Sequence, residues 1–89
     1  MLASANRDPA AFEEPETFDI GRTPNDHIAF RTGRHFCLGA SLARLETRIA
    51  LKNLIERFPR IRLAVDPKEL TVAPLPLWHR LQGLPVVLG

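Results

Sequence analysis

The chain has 89 residues, 45% hydrophobic and 25% charged, a balance that excludes a disordered polymer and suits one small domain. Twelve basic against ten acidic residues leave a net charge of +2, too little to argue for nucleic acid, and no basic run interleaves with aromatics as single-strand binders require. No apolar run reaches the roughly 20 residues of a membrane span, the first five residues are too short for a signal peptide, and one cysteine forms no internal disulfide, so a cytoplasmic setting with no membrane segment is expected.

Residues 1–29 read as an irregular meander. Pro9, Pro15 and Pro24 fix φ and remove backbone donors, which prevents a long regular element. Phe12 and Phe18 are the expected anchors that pin this meander to a core, the competing reading being a flexible arm.

Residues 30–39, Phe-Arg-Thr-Gly-Arg-His-Phe-Cys-Leu-Gly, hold the single cysteine in a loop just before a helical pattern. Gly33 and Gly39 flank Cys37 at minus four and plus two, and glycine permits positive φ and close approach to the backbone. A thiolate held near a helix N-terminus is stabilised by the helix dipole and by backbone N–H groups, so the sulfur can ligate a metal. The competing reading is a buried structural cysteine.

Residues 40–58 are expected to form one long amphipathic helix. Leu38, Leu42, Leu45, Ile49, Leu51, Leu54, Ile55 and Phe58 recur at steps of three and four, with Arg44, Arg48, Lys52 and Arg57 toward a polar face. Ser41 is a candidate N-cap, and Pro59 ends the helix because the residue before proline is pushed out of helical φ/ψ.

Residues 60–89 read as short strands and a hairpin. Arg60 to Val65 alternates as a half-buried strand does, Asp66-Pro67 turns the chain, and Leu70 to Ala73 and Leu84 to Leu88 are further short strands. Pro74 and Pro76 keep the residues around them off a central strand, and Gly83 suits a hairpin turn. The expected class is therefore α+β.

The run Phe-x-x-Gly-x-His-x-Cys-Leu-Gly from Phe30, continued by Ala40-Ser41-Leu42-Ala43-Arg44-Leu45-Glu46, resembles the heme-binding signature of the cytochrome P450 family, especially its bacterial members. The likeness extends upstream through Ala5-Asn6-Arg7-Asp8-Pro9, Phe12, Pro15, Phe18-Asp19 and His27-Ile28-Ala29, and downstream to Leu84-Pro85-Val86. It implies the C-terminal, heme-binding portion of that family's mainly α fold.

The resemblance implies that Cys37 is the axial ligand of the iron of heme b (iron protoporphyrin IX), with Phe30 packed on the sulfur side of the ring and His35 hydrogen-bonded to a propionate. Gly33, Leu38, Gly39 and Ala43 would complete the contact. Arg31, Arg34, Arg44 and Arg48 would face a ferredoxin or flavodoxin-like electron donor, itself supplied from NAD(P)H, and Leu75, Leu77 and Trp78 would touch a small apolar substrate. The implied activity is that of a monooxygenase that inserts one oxygen atom from O2.

Three positions depart from the pattern. Arg31 stands where the family usually has glycine, Thr17 where many members have a network arginine, and His79-Arg80 where an Arg-Gly pair is common. A Glu-x-x-Arg pair and an acid-alcohol pair are absent, and Met1 to Ser4 reads in the family as the tail of a strand, so the chain is expected to begin inside a fold and to lack turnover alone. Two other classes compete: a non-catalytic remnant or small interaction module, and a zinc site using Cys37 with His27, His35 or His79.

Overall fold

The computed structural model describes residues 2–76 and 78–89, in two compact units that meet in sequence between Ala40 and Ser41. In the first, Leu2–Ala5 is a single helical turn, α1. The expectation of a strand tail is thereby corrected at Leu2 to Ser4, Met1 lying outside the described residues. Leu-Ala-Ser-Ala has no β-branched residue, and the turn closes locally when the Asn6 N–H donates to the Leu2 carbonyl at 3.0 Å.

The rest of the first unit is a succession of turns bonded through short polar side chains. Asp8 Oδ1 accepts from the Ala10 N–H at 2.9 Å, and Asp19 Oδ1 accepts from the Gly21 N–H at 2.9 Å. Arg22 braces the middle of the meander. Its guanidinium donates to the carbonyls of Glu13 at 2.5 Å, Glu14 at 3.1 Å and Thr17 at 2.9 Å. Three carbonyls of a proline-rich, non-repetitive backbone thus share one planar donor.

Phe12 is half-buried, as an anchor should be, but Phe18 is 92% exposed and anchors nothing within the chain. An apolar residue in an irregular segment carries no periodicity to say which way it faces, so its burial was not legible.

The long helix α2, Ala40–Arg57, has its first residue at the end of the first unit and the rest in the second. Since α2 begins at Ala40, Ser41 is its second residue rather than its cap. The Phe58 N–H donates to the Leu54 carbonyl at 2.9 Å and Pro59 follows, which ends the helix where proline predicts. Lys52 and Glu56 form an exposed i,i+4 pair at 3.9 Å.

A single apolar stripe on α2 is not what forms. At roughly 100° per residue, Leu42, Leu45 and Ile49 fall within an arc of about 60°, whereas Leu51, Leu54 and Ile55 fall on roughly the opposite side. The polar residues exchange sides in the same way, Glu56 and Lys52 lying over the arc that the leucines of the first half occupy. Steps of three and four are therefore present within each half, but the phase reverses between Ile49 and Leu51. Leu42, Leu45, Ile49, Leu51 and Ile55 are all more than half exposed, while Ala40, 1% exposed, is the fully buried apolar residue among those described.

After α2 the strands are shorter than alternation suggests. β1 (Arg62–Leu63) pairs antiparallel with β2 (Val86–Val87), Arg62 opposite Val87 and Leu63 opposite Val86. Between them a turn over Pro67–Glu69 is capped by Asp66, whose Oδ1 accepts from the Lys68 N–H at 2.8 Å. The expected strand at Leu70 to Ala73 reduces to a bridge between Val72 and Leu81, with the Gln82 N–H donating to Thr71 and the Ala73 N–H to Arg80, each at 2.8 Å. The chain therefore reverses between Ala73 and Arg80, a stretch that holds Pro74 and Pro76. Gly83 does not make the hairpin turn; it joins this hairpin to β2 without a positive φ.

Candidate functional site

The segment from His27 to Gly39 folds into a loop through four backbone bonds. The Arg31 N–H donates to the Ile28 carbonyl at 2.8 Å, a tight turn that puts Arg31 at φ +62°. Thr32 is extended, Gly33 returns to positive φ at +63°, and Gly33–His35 make one 3-10 turn closed by the Phe36 N–H on the Gly33 carbonyl at 3.1 Å. The Cys37 N–H then donates to the Phe30 carbonyl at 2.9 Å, and the Ala40 N–H to the Cys37 carbonyl at 3.2 Å, which passes the chain into α2.

Two left-handed residues separated by one extended residue reverse the chain sharply. Gly33 is one of them, as expected. Arg31 is the other, and there an L side chain sits where glycine is favoured. Gly39 serves differently: it has no positive φ, and a Cβ built on it would lie 3.9 Å from Cys37 Sγ, so its missing side chain leaves room beside the sulfur.

Cys37 is exposed. Beside it in sequence, Phe36 is half exposed and Leu38 is 103% exposed, so the thiol stands between apolar side chains that turn outward. Phe30 is half-buried in a row of rings, its centroid 6.3 Å from His27 and 6.5 Å from Phe36 in tilted geometry. His35 is exposed at the end of the 3-10 turn, as are Arg31 and Arg34.

The second unit carries the remaining candidates. Ala43 is half-buried in the first turn of α2, and Arg44 and Arg48 are exposed on the same helix. Leu75 and Trp78 are exposed at the hairpin tip, Trp78 at 69%, and Leu77 lies outside the described residues.

Among the described residues no three His, Cys, Asp or Glu side chains gather to hold a metal ion. A metal at Cys37 must therefore arrive with most of its ligands already in place. An exposed sulfur with apolar neighbours and an unfilled Cβ position beside it fits a flat group of that kind, as a porphyrin is. An open depression of about 500 Å³ lies elsewhere, lined by Phe12, Thr17, Asp19 and Arg22, and does not include Cys37.

Two residues that sequence reasoning did not single out matter to the first unit. Arg22 is one, and its only signal is a lone arginine after Asp19-Ile20-Gly21. Asn6 is the other; its Oδ1 accepts from the Ile28 N–H at 2.8 Å across 22 residues of chain, a contact no local pattern announces.

Comparison with known proteins matches this geometry to a class. The chain is similar to the solved structure of the tirandamycin C-bound P450 monooxygenase TamI, with a TM-score of 0.94 and 48% identity over 99% of this chain and 22% of that one. It is also similar to P450BioI, solved in complex with an acyl carrier protein ligated to hexadec-9Z-enoic acid, with a TM-score of 0.89 and 45% identity over 100% of this chain and 22% of that one. The polyketide biosynthesis cytochrome P450 PksS of Bacillus subtilis is 53% identical over 88 residues, 99% of this chain and 22% of PksS.

The family model "Cytochrome P450" matches residues 1–75, and the chain belongs to the cytochrome P450 family. It spans about a fifth of the length of the relatives it matches. No helix among the described residues is long and apolar enough to cross a membrane.

Proposed function

We propose that this chain is the heme-thiolate portion of a P450 monooxygenase, with Cys37 as the axial ligand of the iron. Its domain organisation on this reading is a meander over 1–29, the ligand loop over 30–39, the helix over 40–58 and the terminal strands over 60–89. The observation that carries the reading is the exposed Cys37 thiol in a loop closed by the Phe30 carbonyl, three residues ahead of a long helix, in a chain of this family.

When bound, heme supplies oxygen binding and O–O cleavage, which an axial thiolate favours by donating electron density. The chain's own residues hold and dress the sulfur. The Cys37–Phe30 backbone bond fixes where the sulfur stands, three residues ahead of α2. Phe30 and Leu38 would offer apolar contact to the ring. Gly33 allows the reversal, while Gly39 and Ala43 leave room for the ring. His35 would hold a heme propionate by donating an N–H to it.

Arg31, Arg34, Arg44 and Arg48 are the cations offered to an acidic ferredoxin or flavodoxin-like donor, which charge would steer. Leu75, Leu77 and Trp78 are the residues offered to an apolar organic substrate. Of the relatives, one is named for polyketide biosynthesis and one was solved with a fatty acyl chain carried on an acyl carrier protein.

The test is reconstitution of the 89-residue chain with hemin, followed by reduction under carbon monoxide. The expected result is a thiolate-type ferrous carbonyl spectrum that Cys37→Ser abolishes, with no substrate turnover. An unchanged spectrum in Cys37→Ser overturns the assignment.

A further inference from the structure

Asn6 sits immediately after α1, where its backbone is held by the turn: its N–H donates to Leu2, the next N–H, of Arg7, to Ser4 at 3.0 Å, and that of Asp8 to Ala5 at 3.3 Å. Its side chain is therefore presented from a fixed base. Oδ1 accepts from the Ile28 N–H at 2.8 Å, in a part-buried position.

Ile28 is tied at both ends. Its N–H goes to Asn6, and its carbonyl accepts from the Arg31 N–H in the turn that holds Arg31 at φ +62°. One residue on from Ala29, Phe30 gives its carbonyl to the Cys37 N–H. The left-handed residue at 31 is unfavourable by itself, so the turn needs support from outside the loop. Asn6 is the side chain that reaches in to give it.

We propose that Asn6 is a positioning residue for the Cys37 loop: it holds Ile28 so that the 28–31 turn aims the Phe30 carbonyl at the Cys37 amide and thereby sets where the sulfur stands. This rests on the reading of Cys37 as the iron ligand. It is distinct from the bracing by Arg22, whose bonds end on Glu13, Glu14 and Thr17.

The test uses the full 89-residue chain in four forms: wild type, Asn6→Ala, Asn6→Asp and Arg22→Ala. Amide hydrogen exchange is followed residue by residue without heme, and hemin reconstitution is read separately. Asn6→Ala is expected to speed exchange at both Ile28 and Cys37 by about fivefold, the equivalent of one ordinary hydrogen bond, with the Phe58 amide unchanged as an internal reference for α2. Asn6→Asp keeps the acceptor oxygen and is expected to restore both. Arg22→Ala is expected to leave the Cys37 amide as in wild type.

With hemin, Asn6→Ala is expected to lower the thiolate-type share about fivefold on the same basis, and Asn6→Asp to recover it. A Cys37 amide that does not respond to Asn6→Ala, or an Ile28 amide already unprotected in wild type, overturns the positioning role. If the amides respond as expected while Cys37→Ser leaves the hemin spectrum unchanged, the ligand assignment fails instead, so the two failures are told apart.

Discussion

The Cys37 amide donates to the Phe30 carbonyl at 2.9 Å, and this bond shuts residues 31–36 into a loop with the thiol at its closing end. Phe30 thus serves the loop twice, through its carbonyl on the Cys37 amide and through a half-buried ring 6.5 Å from that of Phe36. The backbone contact would survive most changes of the Phe30 side chain. The conformation of the residues between them would not survive so easily.

Arg31 holds φ +62°, a conformation that disfavours an L side chain by about 1–2 kcal/mol, partly offset on replacement by glycine's larger chain entropy. Arg31→Gly is expected to stabilise the chain by about 0.5–1 kcal/mol in urea unfolding, and Arg31→Val to destabilise it by at least as much. A glycine variant less stable than wild type would remove the strain argument.

The two loop glycines should respond in opposite ways. Gly33 is at φ +63° with nothing within 4 Å of an added Cβ, so Gly33→Ala should destabilise the chain by about 1 kcal/mol through backbone conformation alone. Gly39→Ala meets only Cys37 Sγ, at 3.9 Å in ordinary contact, and should change stability by less than about 0.5 kcal/mol yet weaken hemin binding about tenfold by filling space beside the sulfur that the ring would take. Urea melts and hemin titrations of both variants measure the contrast; equal behaviour in the two assays would contradict it.

Replacing Arg22 by lysine keeps the charge and loses the fork. Lysine cannot meet the carbonyls of Glu13, Glu14 and Thr17 together, so Arg22→Lys is expected to destabilise the meander by about 1–2 kcal/mol, the lower part of the range for charged donors because the bonds face solvent. Amide exchange at Thr17 and Arg22 would report it, since their N–H groups bond within the same turns, to Glu14 at 2.9 Å and Asp19 at 3.3 Å.

On α2, Leu45 is 54% exposed. Leu45→Ala should therefore change the stability of the 89-residue chain by less than about 1 kcal/mol, well below the 2–5 kcal/mol of a leucine buried in a packed core. A larger loss in urea unfolding would show that this face is covered in solution.

The motif around Cys37 was legible because its meaning is local. Gly33, His35, Cys37 and Gly39 stand at fixed spacings before a helix, and both the family and the loop follow from that run. The helix ends were nearly as readable, since Pro59 acts through the residue before it. The sidedness of α2 was not: counting steps of three and four merged two half-faces whose phase reverses between Ile49 and Leu51. The burial of Phe18 was unreadable for a related reason, because an aperiodic segment does not specify a face.

Strand lengths failed for another cause. Alternation at Arg60 to Val65 and the apolar run at Leu84 to Leu88 state only that strands are possible, whereas pairing needs backbone groups that meet, and these meet only at Arg62–Leu63 and Val86–Val87. Likewise Gly83 suits a turn, but the reversal falls between Ala73 and Arg80, and the Thr71 hydroxyl donates to Gln82 Oε1 at 2.9 Å across the base of that hairpin.

The sequence by itself determined the family, the cysteine loop and the limits of the long helix, all of which depend on residues close together in the chain. Only the tertiary structure decided that Arg31 shares the left-handed conformation with Gly33, that Arg22 braces the meander, and that Asn6 reaches Ile28. Those outcomes depend on which polar groups a proline-broken backbone leaves to be satisfied, and on which distant side chain the folded path brings to them.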